Sequence, residues 1–71
     1  MELNWEDGFM IAVDIQDNAV VVRANRQGLL SLAGHLVTLA QDSTAGAHLH
    51  LDQYNSLEEC SAQLIIEKIN N

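Results

Sequence analysis

His48, His50 and Asp52 stand at every second position of the segment Ala47-His-Leu-His-Leu-Asp52. In an extended chain alternate side chains share one face, with i and i+2 roughly 6.5–7 Å apart along the strand. Two neutral imidazoles at that spacing can converge on one ion, and zinc takes such ligands readily. A complete site needs about three or four ligands at roughly 2.0–2.2 Å. Asp52 lies too far along to close easily with both histidines, and the chain has no C-x-x-C or H-x-x-x-H pattern. A zinc module built on His48 and His50 therefore stands as an alternative. The expectation is no metal and no cofactor, with the two histidines on a polar face that meets a partner.

Other chemistry is sparser. Cys60 is the single cysteine, and nothing near it in sequence marks an activated thiolate. A G-x-S-x-G elbow, a glycine-rich phosphate loop and a basic aromatic patch are all missing. The expectation is a protein that is not an enzyme. His35 falls on the polar side of a helix, and Cys60 at the entry of the last strand is expected to point inward. Trp5 and Tyr54 are placed outside the regular elements, either as lids over a small core or as binding anchors.

The totals narrow the class further. Seventy-one residues suggest one small domain over 1–71, of a size that buries about 60% of the surface of its unfolded chain. Below roughly 70–80 residues a single core seldom suffices without a disulfide, a metal or self-association. One cysteine excludes an internal disulfide. Ten acids against three bases give a net charge of −7, which disfavours nucleic acid and anionic membrane surfaces and suits a basic protein partner. The acidic start MELNWEDG reads as no secretory signal, and no window has the roughly 20 apolar residues of a membrane span. Cytoplasmic location is the corresponding expectation.

Periodicity places these residues on elements. Phe9, Ile11, Val13 and Ile15 alternate with Met10, Ala12 and Asp14, then Gln16-Asp-Asn18 reads as a turn and Ala19–Ala24 as a second, β-branched strand. Asn25 is a good N-cap. On a helical wheel, Leu29, Leu30, Leu32, Ala33, Leu36, Val37, Leu39 and Ala40 fill one half, expected to lie on the core. Ser31, Gly34, His35, Thr38, Gln41 and Asp42 fill the other half. The small residues Ser31, Gly34 and Thr38 would then lie on the outer face. Ser43–Gly46 ends the helix, Ala47–Asp52 alternates as a third strand, and a polar connection with a short turn at Ser56–Glu59 leads to a last strand at Ala62–Ile69.

The order ββαββ gives an α+β fold: one amphipathic helix on one face of a four-stranded, mostly antiparallel sheet, in strand order 2-1-3-4 or 1-2-4-3. The uncovered face would carry Met10, Ala12, Val21, Arg23, His48, His50 and Ile65. This mixed set is better suited to an interface than to open water, and Met10, Val21, Arg23, His48, His50, Asp52 and Ile65 are the expected partner-binding residues.

Three segments taken together resemble the immunity protein 32 family of bacterial polymorphic-toxin systems, from about Val20 to Ile69. They are an N-x-x-G-L-x-x-L-A helix start (Asn25, Gly28, Leu29, Leu32, Ala33), an H-x-H-x-D strand (His48, His50, Asp52), and an S-L-E-x-x-S-x-x-L-I-I segment (Ser56, Leu57, Glu58, Ser61, Leu64, Ile65, Ile66). The resemblance implies an α+β fold and a non-enzymatic, cytoplasmic antitoxin that binds a cognate toxin domain and blocks it. A structural homodimer, with the open sheet faces of two copies packed together, is the other reading that composition leaves standing.

Overall fold

The structure, a computed structural model, describes residues 1–70. Its elements follow the expected order: β1 (Ile11–Gln16), β2 (Ala19–Ala24), α1 (Arg26–Gln41), β3 (His48–Leu51) and β4 (Leu64–Glu67). β1 and β2 form a tight hairpin with Gln16 opposite Ala19. Asp17 and Asn18 both take positive φ, 50° and 66°, as a two-residue turn matched to strand twist requires. β3 and β4 are likewise antiparallel, with His48 opposite Glu67 and Leu51 opposite Leu64.

The four strands do not merge into one sheet; they remain two antiparallel pairs. The outer edge of β1 is taken by the connection before β4. Glu58 N donates to Ile11 O at 2.9 Å and Ala62 N to Val13 O at 2.7 Å, while Val13 N donates to Ser61 Oγ at 3.2 Å. Those bonds satisfy β1 without a neighbouring strand. Cys60, expected inward, sits at φ 67° inside this connection and is exposed.

The core is small. Ile11, Val13, Leu51 and Leu57 are buried together, with Trp5, Phe9, Leu32 and Leu64 packed against them, and Leu39 and Leu49 are also buried. Alternation thus assigns Ile11, Val13, Leu49 and Leu51 correctly. Ile15 departs from it: it lies beyond the reach of the core at the hairpin end and is 68% exposed.

The helix departs most from expectation. Its buried residues are Gly28, Ser31, His35 and Leu39. Leu29, Leu30, Leu36 and Val37, expected inside, are exposed. Two contacts with the segment leading into β1 set this rotation. Asn25 Oδ1 accepts from Gly28 N at 2.7 Å and from Met10 N at 3.0 Å, and its Nδ2 donates to Gly8 O at 2.9 Å. Gly28 then lies so close to β1 that a Cβ there would meet Met10 O, with Ile11 Cγ1 at 2.9 Å and Ala24 Cβ at 3.1 Å. With Gly28 against β1, Ser31, His35 and Leu39, one turn and more further on, must also face inward. At the other end Lys68 Nζ donates to Ala40 O, at 2.8 Å, and to Asp42 O, filling carbonyls the helix leaves unpaired.

Gly28→Ala should therefore cost about 2 kcal/mol, the usual scale of overpacking, although alanine is the better helix former. Asn25→Ala should cost about 1 kcal/mol as a lost cap. Thermal unfolding followed by circular dichroism checks both, and each should lower the midpoint by roughly 4–8 °C per kcal/mol.

Candidate partner-binding surface

The seven expected interface residues fall into two patches. On the hairpin, Met10, Val21 and Arg23 accompany Ala12 and Asp14. Register places Ala12 opposite Arg23 and Asp14 opposite Val21. Arg23 Nη2 donates to Asp14 Oδ2 at 2.6 Å, an ion pair open enough to water that it organises the surface more than it stabilises the fold. Met10, Ala12, Arg23, Asn25 and Glu58 line a shallow groove of about 360 Å³. Glu58, supplied by the bonded connection, was not expected there. Its neighbour Leu57, a buried apolar residue in a polar stretch, is the sequence signal that the connection is fastened down.

On the second pair, His48, His50 and Ile65 are all exposed, with His50 opposite Ile65. His50 Nε2 pairs with Gln63 Oε1 at 2.9 Å and stands 3.8 Å from Asp52 Oδ2. His48 Nδ1 lies 3.4 Å from Gly46 O. Asp52 serves mainly the turn: its Oδ1 accepts from Tyr54 N at 2.9 Å and Asn55 N at 3.0 Å, and its carbonyl accepts from Leu57 N at 2.8 Å. Tyr54 is 89% exposed on that turn, so it is no lid. Among the described residues, no three His, Cys, Asp or Glu side chains gather as a metal ion would need. No helix among the described residues is long and apolar enough to cross a membrane.

A model of the immunity protein 32 family matches residues 19–69. The chain belongs to that family. No curated protein and no solved structure matches the chain. In this immunity protein 32 member, the three recognised segments are largely structural. Asn25 and Gly28 seat the helix, Asp52 fastens the turn after β3, Leu57 fills the core, and Ser61 takes the free N–H of Val13. His48, His50 and Ile65 stay exposed.

His35 is the opposite case. It is 1% exposed, with its ring edge-on to Trp5 at 4.2 Å, and Trp5 stacks on Phe9 at 4.4 Å. Next to it, Ser31 Oγ accepts from Glu6 N at 2.8 Å. The amino-terminal segment thus covers Ser31 and His35 on the polar side of the helix. Trp5 acts as a lid, closing on a histidine that the helical wheel had placed outside. His35 Nε2 has no hydrogen-bond partner among the described residues, and burial pushes the imidazole below its ordinary value of 6.5 because the charged form loses water.

The folded state therefore holds His35 neutral, while the unfolded chain takes up a proton below about pH 6.5. The unfolded state binds more protons in that window, so stability falls as pH drops from about 6.5 toward the lowered value and is fully present above it. Thermal midpoints measured between pH 7.5 and pH 5 should decline on acidification. His35→Phe, which keeps an aromatic ring against Trp5, should flatten that decline.

Proposed function

We propose that this chain is an immunity protein that binds a cognate toxin domain in the cytoplasm and silences it by occupying its surface, with no chemistry of its own. The observation that carries this reading is the family match over residues 19–69. The net charge of −7 supports a basic toxin, since opposite charge speeds encounter and rejects wrong partners.

The hairpin groove is the surface best suited to the central contact. Met10 offers an exposed apolar anchor, and the Arg23–Asp14 pair and Glu58 rim it with polar groups. A flexible thioether beside a charged rim resembles the make-up of a binding hot spot. His48, His50 and Ile65 extend the contact on the second strand pair as hydrogen-bonding and apolar neighbours. Val21 and Asp52 contribute less directly, since Val21 is half-buried and Asp52 is committed to its turn.

The test is neutralisation of a toxin domain co-expressed with this chain, with affinity measured by calorimetry. Met10→Asp combined with Arg23→Ala should weaken binding at least tenfold and leave the far-ultraviolet spectrum unchanged. Rising salt should slow association. Undiminished neutralisation by the double variant would remove the hairpin groove from the interface.

A further inference from the structure

The helix presents its apolar side to solvent. Leu29, Leu30, Leu36 and Val37 are 55%, 48%, 42% and 56% exposed, and Ala33 and Ala40 complete the stripe. The positions 29, 33, 36, 37 and 40 recur at the spacing that puts them on one helical face. From Gln27 to Gln41 there is no Lys, Arg, Asp or Glu, and the one histidine of that stretch is buried. All ten acids lie outside α1.

We propose that this face is the interface of a homodimer, in which α1 of one copy packs antiparallel on α1 of a second copy across a two-fold axis. Three arguments select a second copy as the occupant. The first is charge. A chain carrying −7 repels its own kind, and it does so least through an uncharged stripe with the acids held to the sides. A basic toxin would gain nothing electrostatic there.

The second argument is area. The stripe exposes on the order of 400 Å² of apolar surface, the size of the largest patch on a typical monomer. Two stripes with their flanking residues bury about 1,000 Å², the lower bound for a specific interface. A single surface that is apolar and uncharged can complement itself, as an isologous contact requires. The third argument is stability. Six hydrophobic residues are buried among the described residues, one cysteine allows no internal disulfide, and self-association is one of the few remaining supplements for a domain of this size.

The proposal places an interface near the lower bound of specific size in the micromolar range of dissociation. Sedimentation equilibrium of the full chain across roughly 1–500 µM should show a monomer–dimer equilibrium. Rising salt should strengthen it, because screening relieves like-charge repulsion; toxin binding should weaken under the same change. Leu36→Glu with Val37→Glu should shift dissociation at least 100-fold toward monomer. Leu29→Gln, milder at an exposed site, should shift it less. The wild-type thermal midpoint should rise with protein concentration, and that of the double variant should not, which keeps the test valid even where one variant folds poorly.

A wild-type chain that stays monomeric over the whole range in high salt overturns the proposal. So does a dimer that survives the helix substitutions and is broken by Ile65→Glu, which moves the contact to the strands. A monomer whose helix variants lose toxin capture assigns the stripe to the toxin and also overturns it. Loss of toxin capture by hairpin variants bears only on the toxin site and leaves the dimer untouched.

Discussion

Most of this structure depends on the corner where Asn25 meets Gly28. One side chain ties three segments: it caps the helix through Gly28 N, receives Met10 N ahead of β1, and donates to Gly8 O. The same corner brings the helix so close to β1 that only a glycine fits at position 28. A helix fixed at its first turn has no freedom to rotate about its own axis. That one constraint turns Ser31, His35 and Leu39 inward and Leu29, Leu30, Leu36 and Val37 outward, and it provides the polar surface on which Trp5 and Glu6 settle. Burial of Ser31 and His35 follows from backbone geometry, not from hydrophobicity.

This explains which parts of the fold were legible in the sequence. Strand alternation, the Asp17-Asn18 turn and the Asn25 cap are local signals, and each names its element; Ala19–Ala24 matches to the residue, while the last two strands are shorter than expected, His48–Leu51 and Leu64–Glu67. A helical wheel divides α1 into two sides but contains nothing about which side is covered. The deciding contacts come from residues far away in the chain, such as Glu6 N on Ser31 Oγ, 25 positions apart. The sheet divides for a similar reason. Ser61 and Ala62 take the edge of β1 with bonds that no periodicity announces. At the surface, the exposure of His48, His50 and Ile65 was readable from alternation. The contribution of Glu58 to the groove and the diversion of Asp52 into a turn were not.

The outcome is a chain with two unlike surfaces. The strands present side chains of mixed polarity around a groove beside an exposed methionine, in a molecule of net charge −7. The helix presents leucine, valine and alanine with no charge among them. Charge promotes encounter with an oppositely charged partner and is lost to salt; an uncharged stripe gains from salt. On the proposed reading the two surfaces would respond in opposite directions to one variable. The buried His35 adds a liability on the acid side, since its neutral form is the one the fold accommodates.

The setting of the helix is the claim on which all of this turns, and nuclear Overhauser contacts in an isotope-labelled sample test it most directly. Contacts from the His35 ring to the Trp5 indole, with the Leu36 and Val37 methyls showing none to Ile11, Val13 or Leu49 of the same molecule, are the predicted result. Intramolecular contacts from Leu36 and Val37 to those core methyls, with His35 free of Trp5, would contradict the account and return the helix to the rotation its wheel suggests.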